Sequence, residues 1–235
     1  MMMRGSARLR PACPRRGVVP NANASPSPFL DKALSLFGRA GGKGSVRKAR
    51  DECMSRLLRS IGPTSRGTKQ SKETRREVME CLIELKALAL EDPVVNQGQL
   101  DGTWRLVWTT EKEILGIIKE GGIANFFGTS AGEVLQVIDL RNGRLQNCIE
   151  FPPEGAFLVD SSIAFDEEDQ KCSFKFSGAA LKTDKWTLRL PPMGQSRFQT
   201  LAVNRSHRVA FDDRGDYLVV ERVGAPRDLF AENGV

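Results

Sequence analysis

Histidine is almost missing from this chain: His207 is the only one in 235 residues. The five cysteines, Cys13, Cys53, Cys81, Cys148 and Cys172, nowhere form a Cys-x-x-Cys pair. A structural zinc set draws on both residue types at short spacings. No metal and no cofactor are therefore expected. Unpaired cysteines point to a reducing compartment and to small buried thiols; Cys148 and Cys172 fall in predicted strands that could be neighbours. No apolar run reaches the roughly 18 to 20 residues of a membrane-spanning helix, so a soluble or peripheral protein is expected. Acidic residues are absent from the first thirty positions, where Arg4, Arg8, Arg10, Arg15 and Arg16 supply five of the six excess positive charges. What remains is a near-neutral body, a poor surface for nucleic acid.

That acid-free, Arg-rich start also has no apolar h-region. Residues 1–28 read as an organellar transit peptide rather than a secretory signal. A helical region is expected over 29–95. Pro28 to Phe37 forms a short amphipathic stretch with Leu30, Ala33, Leu34 and Phe37 on one face. Residues 38–45 are Gly-rich but fail the Walker spacing, since Phe37 and Gly44 stand where Gly and Ser or Thr belong. Ser45 to Ile61 and Ser71 to about Leu90 follow as helices. The second repeats apolar residues at Val78, Cys81, Leu82, Leu85, Leu88 and Ala89.

From residue 100 the apolar period changes from 3.6 to 2. In Gly102-Thr103-Trp104-Arg105-Leu106-Val107-Trp108, alternation puts Trp104, Leu106 and Trp108 on one face. Thr110-Glu111-Lys112-Glu113 has the form of a capping box for a short helix through Ile118. Gly121-Gly122 and Gly128 frame an apolar loop containing Phe126 and Phe127. Eight further strands are expected, at about 133–140, 144–151, 156–165, 171–181, 185–190, 195–202, 206–212 and 216–223. Many are separated by turn sequences such as Arg141-Asn142-Gly143 and Asp212-Asp213-Arg214-Gly215. The fold class is mostly β: an antiparallel β-barrel over about 100–225, preceded by two or three helices and followed by a tail, 226–235. A barrel of about eight strands is either just filled or holds one small ligand. Expected inside it are Trp104, Trp108, Phe157, Val159, Phe174, Phe176 and Trp186. Ile114, Leu115, Ile118, Phe126 and Phe127 are expected to form an apolar entrance or lid.

The Gly102-x-Trp104 opening resembles the calycin group, which includes the lipocalins. More specifically, residues 100–113, Ala131-Gly132-Glu133-Val134-Leu135-Gln136-Val137-Ile138-Asp139, Ile149-Glu150-Phe151-Pro152-Pro153-Glu154-Gly155 and Arg214-Gly215-Asp216-Tyr217-Leu218-Val219-Val220-Glu221-Arg222 resemble the plastid lipid-associated proteins, or fibrillins. The resemblance implies a lipocalin-like barrel, a plastid address at plastoglobules or thylakoids, and binding of hydrophobic metabolites such as isoprenoid lipids. By the lipocalin analogy, Arg222 should lie over Trp104 as a clasp. One departure stands out: Ala202 and Asn204 replace the family's usual Tyr and Asp before the last strands.

Three functions compete. A lipid-binding module needs an apolar cavity. A structural or coat protein of plastid lipid droplets needs only a filled barrel and a contact surface. An enzyme needs a catalytic set, and little here supplies one: His207 sits in a predicted strand among polar neighbours, and no nucleophile elbow is expected. The expectation is therefore no enzyme, with a hydrophobic small molecule or lipid as partner and peripheral contact with a lipid surface.

Overall fold

The computed structural model describes residues 43–92, 95–122, 128–191 and 194–235. The expected transit segment, the helix at 28–37, Cys13, Phe126 and Phe127 lie outside the described residues.

Helices α1 (Lys43–Ile61) and α2 (Lys72–Glu91) come first, joined by a 3-10 segment, Gly62–Gly67. Ser71 caps α2 by accepting a 3.0 Å hydrogen bond from the Thr74 amide. At the other end Arg50 of α1 donates to Leu88 O (3.2 Å) and Asp92 O (2.8 Å), placing a cation on the carbonyl end of α2. Cys53 donates its thiol hydrogen to the Cys81 carbonyl at 3.2 Å, so the close cysteine pair is between helices. Cys148 and Cys172 belong to separate buried clusters, contrary to expectation.

The strands are β1 (Gly102–Thr109), β2 (Val134–Asp139), β3 (Arg144–Phe151), β4 (Gly155–Asp166), β5 (Lys171–Lys182), β6 (Thr187–Leu190), β7 (Gln195–Val203), β8 (His207–Asp212) and β9 (Tyr217–Gly224). A short helix, α3 (Lys112–Ile118), follows β1, and α4 (Leu229–Glu232) closes the chain. All pairings are antiparallel. They run β4-β3-β2-β1-β9-β8-β7-β5, and β4 pairs β5 to close the ring. The barrel therefore has eight strands. The ninth, β6, pairs only with residues 179–182 of β5, while β7 pairs with residues 171–175. β6 is thus an edge strand at the end where β1 and β5 finish.

The helical layer lies on the outside of the barrel. Leu57, Leu82 and Leu85 pack against Trp108, Leu201, Val209, Tyr217 and Val219. Trp108 points out because β1 carries a β-bulge: Leu106 pairs with Val220, but Trp108 pairs with Val219. The extra residue, Val107, reverses the alternation beyond it. Trp108, expected inside, is instead the centre of the helix-to-barrel contact. Simple alternation would turn Trp108 inward only if the register ran unbroken.

Candidate functional site

Inside the barrel, between β1 and β9 on one side and β4 and β5 on the other, lies a cavity of about 270 Å³. That is just below the roughly 300 to 1,000 Å³ usual for small-molecule sites. Its walls are mostly apolar: Trp104, Leu106, Ile149, Phe157, Val159, Phe174, Phe176, Phe198, Leu218 and Val220 line it. Of the seven residues expected in the interior, five line this cavity. Trp108 faces the helices, and Trp186 precedes β6 with 48% of its surface exposed. Trp186 shares its fate with Leu188 and Leu190, because β6 leaves the ring before these side chains can be enclosed.

The floor is built by the Gly-x-Trp motif. Trp104 is fully buried and donates from Nε1 to the Leu100 carbonyl at 2.9 Å. Its cross-strand partner on β9 is Arg222, whose guanidinium carbon sits 4.1 Å from the indole centroid. Arg222 also donates to the carbonyls of Asp101, Gln99 (2.6 Å) and Arg205 (3.2 Å). Burial lowers its pKa, with Asp101 opposing. Gly102 is explained by the same arginine: a Cβ there would collide with Arg222 Nη1 and stand 3.2 Å from Gly224 O.

At the other end α3 lies over the mouth. Ile114 and Ile117 line the cavity, and Ile118 packs with Leu106, Val134, Ile149 and Phe151. Leu115 lines neither. The expected capping box does not form: the helix is preceded by Glu111, which makes no side-chain cap, and Thr110 is held by β9. Thr110 Oγ1 donates to Asp216 Oδ1 and accepts from the Tyr217 amide, each at 2.9 Å. Glu111, Asp212 and Asp216 gather at this rim with Arg214, which reaches Glu111 at 3.2 Å and Asp212 at 2.9 Å. Desolvation pushes the Glu111 carboxyl up to about 7; Arg214 opposes, while Asp212, Asp216 and Glu113 add to the rise.

Three interior polar residues escaped the sequence reading. Arg208 of β8 is wholly buried, lines the cavity and donates from Nη2 to Gln136 Oε1. Gln136 in turn donates from Nε2 to Asn147 Oδ1 at 3.0 Å. The signal was present in the alternation. Gln136 falls in phase with Val134 and Ile138, Asn147 with Leu145 and Ile149, and Arg208 with Ala210. Polar side chains on an otherwise apolar inward face mark a site.

Two other expectations resolve outside the cavity. Asn204 caps the β7–β8 turn, its Oδ1 accepting from the amides of Ser206 (2.9 Å) and His207 (2.7 Å). Ala202 is buried under the helices. Neither lines the cavity, so their difference from the family pattern falls on turn and packing. Gly128-Thr129-Ser130-Ala131-Gly132 does carry the spacing of a hydrolase elbow, correcting the expectation that none exists. It is followed by strand β2, whereas a hydrolase elbow is followed by a helix. His207 begins β8 at the floor end, remote in the barrel from the mouth where β2 starts.

The sequence model of the PAP_fibrillin family matches residues 51–221. A protein of Arabidopsis thaliana named probable plastid-lipid-associated protein 11, chloroplastic, is 41% identical over 168 residues, 71% of this chain and 77% of that one. No solved structure shows a significant match. The matched span runs from α1 to β9 and takes in both the outer helical layer and every strand of the ring: the chain belongs to the PAP/fibrillin family of lipid-associated proteins.

Proposed function

We propose that this protein carries one apolar small molecule, of the lipid or isoprenoid class, in its barrel and exchanges it with a lipid surface in the plastid. The single observation that supports carriage over a purely structural coat role is the cavity of about 270 Å³, walled by aromatic and aliphatic side chains. Transfer of an apolar group from water into such walls contributes roughly 25 cal/mol per Å² buried. The chemistry asked of the protein is selection by shape, with no bond made or broken.

Delivery uses the apolar features at the mouth. Trp186, just before edge strand β6, and Leu188 and Leu190 on it are exposed beside the exposed cations Lys185 and Arg189. An indole and leucines flanked by cations suit the interface of an anionic lipid surface. Ile114 and Ile117 of α3 line the cavity at its mouth. The plastid address rests on the Arg-rich first 28 residues, read as a transit peptide, and on the name of the Arabidopsis thaliana relative.

The test is transfer of a fluorescent apolar lipid between vesicles. Catalytic amounts of protein should accelerate it, and Val159→Trp, which fills the cavity, should abolish the acceleration while vesicle binding persists. A coat protein with a passive interior would show equal vesicle binding and no transfer by either form.

A further inference from the structure

Arg208 is a full positive charge with no counter-ion among the described residues. Its side chain is entirely buried, and no carboxylate among the described residues pairs with it. Two of its donors, Nε and Nη1, have no hydrogen-bond partner. Its guanidinium carbon lies 5.3 Å from the ring centroids of both Trp104 and Phe198. Desolvation lowers its pKa to about 10, so it stays protonated at neutral pH. The neighbouring charge of Arg222 adds to the positive potential, and the Cys172 thiol beside it is pushed up to about 12 by burial and stays neutral. Buried charges are ordinarily paired, because an isolated one is expensive.

A fold that needed Arg208 only to fill space would be better served by an apolar side chain. The surroundings are arranged for an anion instead. Asn147 lines the same cavity, with its oxygen already accepting from Gln136 and no hydrogen bond from its amide nitrogen among the described residues. A guanidinium and a carboxamide, linked through Gln136, therefore line one cavity away from the acids at its rim. The acids that line the cavity, Glu111, Glu113, Asp212 and Asp216, are all at the rim, at the other end. The lining charges are carboxylates offset by the single cation Arg214 at the mouth, and the cation Arg208 toward the floor.

We infer that the cavity takes an amphiphile head-inward, its carboxylate held by Arg208 and Asn147 and its hydrocarbon tail running out toward α3. This deepens the carrier reading above and rests on it. A carboxylate suits the site better than a phosphate or diphosphate head. One uncommitted guanidinium balances one negative charge, whereas Arg222 spends its donors on three carbonyls. It also gives the apolar tail, not the head, to the rim, where a second anion would meet carboxylates.

The experiment titrates the full chain with three ligands that share one twelve-carbon tail: laurate, methyl laurate and dodecanol. At about pH 8, laurate should bind at least about tenfold more tightly than either neutral ligand. Arg208→Gln should bring the three affinities within about twofold by loss of the laurate advantage, with methyl laurate still bound. Asn147→Leu should narrow the gap in the same direction. If wild-type protein binds methyl laurate as tightly as laurate, the inward carboxylate is wrong while the carrier reading stands. If no ligand of the three binds, both fall. The wild-type comparison needs no variant, so the inference is decidable even if Arg208→Gln does not fold.

Discussion

Arg222 lies over Trp104 with its guanidinium carbon 4.1 Å from the ring centroid, and the two residues are cross-strand partners where the last strand of the barrel meets the first. Closing the ring brings them together, and the pair then seals the floor. A cation on a partly desolvated indole contributes up to about 2 kcal/mol, and charge-assisted bonds to the carbonyls of Gln99 and Arg205 add to it. Arg222→Ala is therefore expected to cost about 2 to 3 kcal/mol in urea denaturation, against about 0.5 kcal/mol or less for Arg141→Ala in an exposed turn. Equal losses would reduce Arg222 to a surface residue. Gly102→Ala should mimic Arg222→Ala, since the added methyl displaces the guanidinium.

Trp108 separates the outside of the barrel from the inside. It is fully buried against the helical layer, and the bulge at Val107 turns it away from the cavity. Trp108→Phe should lower stability by about 1 to 3 kcal/mol through lost packing and leave lipid affinity unchanged. Phe157→Ala, on the cavity wall, should change affinity. If Trp108→Phe altered affinity as much as Phe157→Ala, the bulge assignment would be wrong.

Glu111 gives the protein a pH-dependent rim. Its carboxyl is pushed up to about 7 in the folded state, chiefly by desolvation, whereas an unfolded glutamate titrates near 4.3. Between these values the folded form binds more protons than the unfolded form. Glu111 therefore makes stability fall as pH rises from about 4.3 to about 7, with no further loss above that. Glu111→Gln should remove this slope, so that the variant gains on the wild type as pH rises from about 4.3 to about 7 and keeps that gain above it. Parallel stability curves for the two proteins would contradict the assignment.

Edge strand β6 should be dispensable for folding and needed at membranes. Trp186→Asp with Leu188→Asp is expected to change stability by no more than about 0.5 kcal/mol, since both side chains are about half exposed. The same pair should sharply reduce sedimentation with anionic vesicles. Unchanged sedimentation would remove β6 from the lipid-contacting surface.

Strand positions were legible in the sequence to within a residue or two, because turn chemistry and period-2 alternation agreed along most of the chain. Side-chain direction was less so. One inserted residue, Val107, reversed Trp108, and alternation has no means of detecting a bulge. Trp186 alternates with Leu188 and Leu190 as a barrel strand should, yet β5 divides its pairing between β6 and β7 and leaves β6 outside. That depends on pairing over long range, which local pattern does not carry. Arg208, Gln136 and Asn147 are in phase with apolar neighbours, but alternation alone does not say which face of each strand turns inward once bulges shift the register. Thr110 looked like a helix cap until the tertiary bond to Asp216 claimed it.

The central claim is that the barrel holds a lipid, and the most direct measurement is mass spectrometry of small molecules retained by the protein isolated from its native compartment. Wild-type protein should carry close to one molar equivalent of an apolar-tailed compound, and Val159→Trp, purified the same way, should carry none. A wild-type protein without bound lipid, or a Val159→Trp variant carrying the same compound in the same amount, would contradict it.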